Sequence, residues 1–468
     1  MLAHRKPILS LAIFLLFSLS PARAQSPLSP DLQQKIDALA ADALSKTGVP
    51  SASLAIVQSG KIVYLHAYGD ARLDPRVPAT PSMRYSIGSI SKQFTAASIL
   101  LLQEQGKLSL DDKVSKFLPN LTRANEVSIR QLLSHTSGYQ DYWPQDYVMP
   151  NMLQPTTAQH ILDLWARKPL DFDPGTKWQY SNTNYVIAGL IVEKVSGMPL
   201  LTFLQQKVFQ PLAMSSVLNT DQDRLGDTDP TGYLRYAIGP PRPAPKEGKG
   251  WLFAAGELAM TAEDLAKWDI SIIDEKLLQP ASYRDFESDV LLKNGLGTRY
   301  GLGVDVRNDA GHRSLSHGGE VSGFTSENIV FPDDRVAVVV LTNLDAADAA
   351  GAIAHAIAPL LLSTSDSATP QKLAQARKIF AGLQQGTIDR SLFTDNANSY
   401  FNAQALQDFA ASLGPLGTPE EFTQTRQSLR GGMIMRMYRV KFPQQTLQAW
   451  TYELPNGQLE QFQVAPQD

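Results

Sequence analysis

Hydrophobic residues in the first hundred positions follow first a helical and then a strand pattern. Apolar side chains recur every three or four positions from Pro30 to Gly48, and this spacing predicts an amphipathic helix. Two runs rich in β-forming residues follow, Ala52 to Gln58 and Lys61 to Tyr68, and Ser59-Gly60 between them predicts a hairpin. The chain therefore begins with a helix that leads into an antiparallel pair of strands.

The next part of the chain carries little strand pattern. An apolar run from Ala96 to Leu102 predicts a buried helix that ends near Gly106. From Leu108 to about Gly250, helical segments alternate with long loops rich in Pro, Gly and Asp. We therefore predict a mostly helical insertion between two parts of one sheet, with helices at Ser128 to Leu133, Ala158 to Trp165 and Asn184 to Ser196.

Strand patterns return after a further helix, Glu263 to Asp274, whose start suits a capping box. Three short strands and one apolar helix are predicted there: Ser314 to His317, Gly323 to Phe331, Arg335 to Thr342, and Ala349 to Leu362. The polar stretch from Ser363 to Pro370 then predicts a domain boundary. We divide the chain into a signal peptide (1–24), a main domain (25–363), a linker (364–370) and an accessory domain (371–468).

The accessory domain is predicted to be an α+β unit of two helices followed by a curled antiparallel sheet. Its architecture loosely resembles the nuclear-transport-factor-like or cystatin-like cone. Met433, Met435 and Met437 alternate along one strand and are predicted to form its inner face. The predicted helices and strands are Gln371 to Gln385, Ala403 to Leu413, Glu421 to Leu429, Met433 to Phe442, Thr446 to Leu454 and Gln458 to Val464.

The amino terminus predicts export. A basic start, an apolar run from Ile8 to Leu19 and Ala22-Arg23-Ala24 form the pattern of a signal peptide cleaved after Ala24. No later stretch is long and apolar enough to predict a membrane span in the mature chain. Because cysteine is absent from the 468 residues, disulfides are excluded. We expect a periplasmic protein, with secretion to the medium as the alternative.

Charge and histidine spacing limit the choice of partners. The net charge of −4 gives no electrostatic reason to expect binding to nucleic acid or to an anionic membrane. No two histidines lie close together with an acidic partner, so neither a metal nor another cofactor is expected. His135 is predicted to fix a loop by hydrogen bonds, and His66 and His312 to be structural. Four aromatic residues either line a substrate cleft or serve as packing: Tyr142, Trp143, Tyr147 and Trp251.

Candidate chemistry begins at Ser89 and Lys92. Three residues separate them, so on a helix they share one face, one turn apart. Serine becomes a useful nucleophile when a base accepts its proton and a helix amino terminus favours the developing negative charge. A Ser-x-x-Lys sequence at the start of a helix supplies both conditions.

Two further motifs lie far along the chain. Tyr180 and Asn182 precede a predicted helix; a phenol can act as a base if a nearby ammonium lowers its pKa, and an amide can bind a substrate carbonyl. His317-Gly318-Gly319-Glu320 lies at the end of a predicted strand. Its glycines allow close approach of a substrate, and backbone N–H groups at a strand edge can bind an oxyanion.

In this order, Ser-x-x-Lys, Tyr-x-Asn and His-Gly-Gly resemble the motifs of the penicillin-recognising serine hydrolases, which include class C β-lactamases, serine esterases and D-alanyl-D-alanine carboxypeptidases. The resemblance runs from about Gln33 to Leu362. Several flanking phrases strengthen it: Leu132 to Gly138, Tyr185 to Gly189, Pro211 to Met214, Ala255 to Asp264 and Tyr300 to Val304.

The resemblance implies an α/β (α+β) β-lactamase-like fold, in which an antiparallel sheet is flanked by helices, an all-helical lobe is inserted, and the active site lies between the lobes. Carried over by position, it implies that Ser89 is the acylated nucleophile and Lys92 its proton acceptor. Tyr180 would assist acylation and then activate the deacylating water. No cofactor is implied.

The substrate-binding residues follow from the same resemblance. Asn182 would orient the substrate carbonyl, and the backbone N–H groups of Ser89 and Glu320 would form the oxyanion hole. The remaining substrate-binding positions are His317, Gly318 and Gly319. Position 317 departs from the family pattern, because β-lactamases of this family usually carry a lysine there that holds the substrate carboxylate. Histidine is largely neutral at pH 7, so a permanent charge is missing.

These observations predict an exported serine hydrolase that cleaves ester or amide bonds through an acyl-enzyme on Ser89, of esterase or D-peptidase type. Two alternatives remain open at this point: a true class C-like β-lactamase, and a non-catalytic binding or scaffold protein on the same fold. The expected partner is a small ester, peptide or β-lactam substrate. The sequence does not choose an oligomeric state, a physiological substrate or a role for the accessory domain.

Overall fold

The computed structural model describes residues 28–309, 312–362 and 369–467. The predicted signal peptide and most of the predicted linker lie outside these ranges. The first described elements confirm the predicted helix and hairpin and lead directly to Ser89: α1 (Pro30–Thr47), β1 (Ser51–Gln58), β2 (Lys61–Leu73), β3 (Arg76–Pro78), β4 (Tyr85–Ser86), a 3₁₀ turn (Gly88–Ile90) and α2 (Ser91–Glu104).

The segment between α2 and residue 260 forms the predicted helical lobe and also contains four short strands. Its helices are α3 (Ile129–Leu133), α4 (Trp143–Asp146), α5 (Ala158–Ile161), α6 (Asn182–Ser196) and α7 (Leu200–Leu204), of which α5 and α7 continue as π-helical turns to Ala166 and Phe209. Its strands are β5 (Leu218–Asn219), β6 (Tyr233–Leu234), β7 (Arg242–Pro243) and β8 (Leu258–Met260).

The chain then returns to the first sheet. The elements of this return are α8 (Ala262–Ile273), α9 (Pro280–Glu287), β9 (Asp305–Asp309), β10 (His312–Val321), β11 (Phe324–Phe331), β12 (Val336–Thr342) and α10 (Ala349–Leu361). The main sheet has seven strands in the order β3-β2-β1-β12-β11-β10-β9, and neighbouring strands are antiparallel. The sheet is therefore built from both ends of the domain, as the insertion predicts.

Strand β12 shows why this sheet needs helices on both faces. Every residue of β12 is buried. Because successive side chains point to opposite faces, Val338 and Val340 pack in the cluster that contains α1 and α10, whereas Val339 and Leu341 pack in the cluster that contains α2 and the helical lobe. A strand buried on both faces reads as a continuous apolar run, and this one holds the two layers of helices together.

Strand β10 is longer than predicted. The sequence places its end at His317, since glycine weakens strands, yet the antiparallel ladder to β11 continues through Gly318 and Gly319 to Val321. A Cβ at position 319 would lie 2.0 Å from the carbonyl oxygen of Ile87. Glycine is therefore required there because β10 lies directly against the chain that carries Ser89.

The accessory domain has its own core and a four-stranded antiparallel sheet in the order β13-β14-β15-β16. The predicted helices and strands are all present, and one short helix, α12, was not predicted. The elements are α11 (Thr369–Gln384), α12 (Asp395–Tyr400), α13 (Ala403–Leu413), β13 (Glu421–Arg430), β14 (Met433–Lys441), β15 (Thr446–Glu453) and β16 (Leu459–Pro466).

The prediction for the inner face of β14 was wrong. Tyr438 and Val440 belong to the core of the accessory domain, whereas Met433, Met435 and Met437 lie on the other face and are only half-buried. Arg436 is also on the inner face and pairs there with Glu453. The strand period was correct, but a buried ion pair places a charged residue where an apolar one is expected.

Among the described residues, no single helix has both the length and the apolarity that a membrane crossing requires. One bent pair of segments, Asn182–Ser196 and Leu200–Phe209, which meet at 71°, satisfies these two criteria only when taken together.

Candidate active site

Ser89 and Lys92 meet as the sequence predicts, although Ser89 lies one step before the helix proper. Ser89 is in the 3₁₀ turn and Lys92 in the first turn of α2. The Lys92 Nζ atom lies 2.8 Å from Ser89 Oγ and also donates a hydrogen bond of 2.8 Å to the carbonyl oxygen of Ala255. Lys92 is completely buried, whereas Ser89 is partly exposed. The hydroxyl can therefore meet a substrate while the amine stays away from water.

Burial of Lys92 changes its acid–base chemistry. Loss of hydration disfavours the ammonium form and lowers the pKa of Lys92 to about 7, and the carboxylate of Asp141 opposes this decrease. An amine with this pKa is uncharged in a large fraction of molecules at neutral pH. Lys92 can therefore accept the proton of the Ser89 hydroxyl that lies beside it.

Tyr180, in the loop before α6, lies beside Ser89 and Lys92. Its phenol lies close enough to the Ser89 side chain for the serine to lower the pKa of Tyr180, and the Lys92 Nζ atom lies 5.0 Å from the centre of the Tyr180 ring. The sequence suggested a phenol whose pKa an ammonium lowers. Instead, burial raises the pKa of Tyr180, and the Ser89 hydroxyl only partly offsets this rise. Tyr180 is therefore a protonated phenol in the resting site, because burial disfavours the phenolate.

Asn182 is the first residue of α6, and its side chain is nearly buried. Its amide nitrogen lies 3.3 and 3.2 Å from the two carboxylate oxygens of Asp141, and its backbone N–H donates to the same carboxylate at 2.9 Å. These bonds fix the amide plane, so the Asn182 carbonyl oxygen is the atom directed away from Asp141. Sequence reasoning missed Asp141 because nothing in its local pattern distinguishes it from another acidic loop residue.

His317 lies in the site, but both of its ring nitrogens are occupied. Nδ1 lies 2.6 Å from the carbonyl oxygen of Gly318, which can only accept, so Nδ1 carries the proton. Nε2 then accepts a hydrogen bond of 2.9 Å from the Tyr300 hydroxyl. Burial, with a further contribution from Lys92, lowers the pKa of His317 to about 3. The imidazole is therefore neutral, as the sequence indicated. Tyr300, its partner, was not predicted.

The turn that carries Ser89 lies against the free edge of β10. Strand β9 pairs with β10 only as far as Ser316, so the backbone from His317 onward has no β9 neighbour. Gly88 has φ +51°, and a Cβ there would lie 2.6 Å from the Glu320 backbone nitrogen. The Ser89 turn and the Glu320 peptide are therefore adjacent, the arrangement that a two-amide oxyanion hole requires.

A small apolar cavity lies beyond Glu320. It has a volume of about 120 Å³, and the rings of Trp143 and Tyr147, stacked 3.8 Å apart, form part of its wall. Of the four aromatic residues considered from the sequence, these two face this cavity, whereas Trp251 lines a separate cavity of about 260 Å³ beside Trp165. The full lining of the small cavity is Trp143, Tyr147, Met149, Met152, Leu234, Pro245, Glu320, Val321, Ser322 and Asp345.

The structure thus brings together residues from positions 89, 92, 180, 182, 317 and 320, and adds Asp141 and Tyr300. No group of three or more His, Asp or Glu side chains is placed to hold a metal ion within the ranges that the structure describes. The site consists of a hydroxyl, a buried amine, a phenol and an amide beside a strand edge. A hydroxyl beside an amine can carry out acyl transfer.

Comparisons with known proteins identify the family of this chain. Residues 32–361 match the Beta-lactamase family. A penicillin-binding protein of Bacillus subtilis (strain 168) is 30% identical over 301 residues, which are 61% of this chain and 66% of that protein. The chain thus matches slightly less than two thirds of that relative's length.

Two solved structures are similar in fold. A D-stereospecific amidohydrolase from Streptomyces sp. superposes with a TM-score of 0.60 at 26% identity, covering 69% of this chain and 98% of that one. An octameric penicillin-binding protein homologue from Pyrococcus abyssi covers 92% of this chain and 99% of its own with a TM-score of 0.63; at 21% identity, this shows a shared fold alone. By its family match over residues 32–361, the chain belongs to the beta-lactamase family of serine hydrolases.

Proposed function

We propose that the protein hydrolyses ester or amide bonds through an acyl-enzyme on Ser89, as an esterase or a D-peptidase. The observation that carries this proposal is the 2.8 Å contact between Ser89 Oγ and a buried amine whose pKa is about 7. A serine beside an amine that is largely uncharged at neutral pH is a nucleophile with its base in place. The similarity to the D-stereospecific amidohydrolase from Streptomyces sp. supports the amide branch of the proposal.

The proposed reaction has two stages. Uncharged Lys92 takes the proton from the Ser89 hydroxyl as Oγ attacks the substrate carbonyl, and the N–H groups of Ser89 and Glu320 stabilise the oxyanion. Tyr180 gives its proton to the departing alcohol or amine and regains one from Lys92. In the second stage Tyr180 passes its proton to Lys92 as it accepts one from the water molecule that attacks the acyl group. The proton on Lys92 then moves to Ser89 Oγ as the bond between Oγ and the acyl carbon breaks and the acid is released.

The neutral state of His317 bears on the class of substrate. A penicillin carries a carboxylate, and a lysine would offer it a permanent positive charge, whereas His317 offers none and has both nitrogens bonded within the protein. We therefore favour neutral esters and amides over efficient β-lactam hydrolysis. The similarity to a penicillin-binding protein supports the β-lactamase alternative, which a nitrocefin assay tests.

The apolar cavity supports an apolar acyl group. Its walls come from the loop that follows Asp141, the partner of Asn182, and from Glu320 and Val321 at the strand edge. Both walls therefore continue from residues that the proposal places at the substrate carbonyl.

The basic start, apolar run and Ala22-Arg23-Ala24 support export to the periplasm as a further part of this proposal.

Ser89→Ala is expected to abolish labelling by a fluorescent fluorophosphonate, because the acylated oxygen is removed. Ser91→Ala, which changes a neighbouring serine whose side-chain oxygen accepts a hydrogen bond from the Leu258 N–H, is the matched control and should still be labelled. Lys92→Ala should slow labelling at least about a hundredfold, the usual scale for loss of a proton-transfer group. Equal labelling of Ser89→Ala and wild type would remove Ser89 from the mechanism and favour a scaffold role.

The rate of labelling should rise with pH through about 7 and then level off, because only the uncharged form of Lys92 accepts the serine proton. Asp141→Asn should move the midpoint to lower pH, since the Asp141 carboxylate raises the pKa of Lys92. Second-order labelling rates measured between pH 5 and 9 test both points. A rate that still rises at pH 9 without levelling off, as expected for a lysine with the ordinary pKa of about 10.4, would contradict the role of burial.

His317→Lys should accelerate acylation by benzylpenicillin by about tenfold or more, because a hydrogen bond to a charged group contributes about 1.5–3 kcal/mol. His317→Gln, which adds no charge, is the control. Hydrolysis of a neutral p-nitrophenyl ester should change little in comparison. Fast nitrocefin hydrolysis by the unaltered protein would show that the absence of a charge at position 317 does not limit the reaction.

Leu234→Trp should fill the apolar cavity and reduce kcat/KM for p-nitrophenyl hexanoate more than tenfold, while the value for the acetate changes less than threefold. The reason is that each methylene that enters an apolar cavity contributes roughly 0.8 kcal/mol. Leu164→Trp, in the separate cavity beside Trp165, is the matched control. Parallel changes for both esters would indicate that the acyl chain lies elsewhere.

A further inference from the structure

His135 holds the chain on both sides of Tyr180. It lies in the turn after α3 with φ +58°, and its side chain is completely buried. The N–H of Gln179 donates to the His135 carbonyl oxygen at 3.0 Å, and the N–H of Ser181 donates to His135 Nδ1 at 3.1 Å. The prediction that His135 fixes a loop is therefore confirmed, and the loop it fixes is the one that carries the phenol of the active site.

The imidazole ring also contacts the phenol directly. The ring centres of His135 and Tyr180 lie 4.3 Å apart, with an angle of 34° between the planes. The rings of Tyr300, Tyr185 and Trp178 surround the imidazole at 4.9, 5.3 and 6.1 Å. Because protein interiors are close-packed, the Tyr180 ring cannot tilt toward His135 without displacing this cluster. Backbone bonds and ring packing thus act on the same residue.

The surroundings of His135 fix its protonation state. Nδ1 accepts from Ser181 and also faces the Asn184 side-chain nitrogen at 3.4 Å; the Asn184 oxygen is occupied by the Ser137 hydroxyl, so a donor faces the imidazole. A proton on Nδ1 would be directed at two donors. Burial, and after it Lys92 and His317, disfavour a positive charge on the ring. His135 is therefore a neutral imidazole with its hydrogen on Nε2.

The Nε2 atom is buried and has no hydrogen-bond partner among the described residues. An unpaired buried N–H group costs free energy, so this ring is not optimised for stability alone. We infer that His135 is a positioning residue, a neutral imidazole that keeps the Tyr180 hydroxyl on Ser89 Oγ and so sets the rate at which Tyr180 serves deacylation. This inference rests on the proposed function, because it assigns to His135 an effect on the second stage of that reaction.

Two substitutions separate positioning from packing. His135→Asn keeps an acceptor near Nδ1 and tolerates the positive φ of this turn, whereas His135→Phe keeps an aromatic ring and removes the acceptor. A fluorophosphonate titrates the active sites of each purified protein, so rates are expressed per functional Ser89. Hydrolysis of p-nitrophenyl butyrate is then followed in the pre-steady state, which reports acylation and deacylation separately.

For His135→Phe we expect the rate of deacylation per titrated site to fall about a hundredfold, the scale of a lost proton-transfer group. Because the acyl-enzyme then accumulates, nitrophenol should appear in a burst, and kcat and KM should decrease in parallel. His135→Asn should remain within about tenfold of wild type. The inference would be overturned if His135→Phe reacted with the fluorophosphonate but deacylated at the wild-type rate without a burst. It would also be overturned if the deacylation rate of His135→Asn fell as much as that of His135→Phe.

If His135→Phe yields no titratable sites, His135→Ala replaces it, assayed with and without added imidazole. Recovery of deacylation with imidazole supports the positioning role, and no recovery contradicts it. The proposed function fails separately: wild-type protein whose Ser89 does not react with the fluorophosphonate has no acyl-enzyme for His135 to influence. If the wild-type protein is labelled and the His135 variants deacylate at the wild-type rate, the proposed function stands and this inference alone is removed.

Discussion

The active site depends on an amine that has no access to water. Lys92 lies between the Ser89 hydroxyl and the Ala255 carbonyl and is completely buried, so its charged form loses hydration without gaining a carboxylate in contact. Asp141 acts on it only from a distance and is itself bonded to Asn182. The result is a base with a pKa of about 7. If water or a carboxylate reached Lys92, it would be an ordinary ammonium and Ser89 an ordinary serine.

The rest of the fold maintains this burial and supplies the partners. In the antiparallel main sheet, β1 pairs with β12, which joins the first and last parts of the domain. The edge of β10 lies against the Ser89 turn, and Gly88 and Gly319 allow the two backbones to come closer than a Cβ would permit. The helical lobe adds Tyr180 and Asn182 at the start of α6, with His135 and Asp141 from preceding loops. These elements surround Ser89 without covering it, so its side chain remains partly exposed.

Local patterns predicted much of this arrangement, and long-range contacts limited the rest. Capped helices such as α8, with Thr261 at its start, and apolar strands such as β12 were predicted because their signals lie within a few residues. The edge strand β9 and the polar helix α12 carry few apolar residues and were missed. Asp141 and the raised pKa of Tyr180 were beyond reach, because both depend on contacts between segments far apart in the chain and on burial that only the folded chain creates.

The most direct measurement is the titration of Lys92 itself, by carbon-13 NMR of protein carrying lysine labelled at Cε, with Lys92→Ala identifying the signal. We expect this one resonance to titrate with a midpoint near pH 7, whereas exposed lysines titrate near 10.4. A Lys92 midpoint above about 9 would mean that the amine is charged at neutral pH and would contradict its role, through burial, as the base for Ser89.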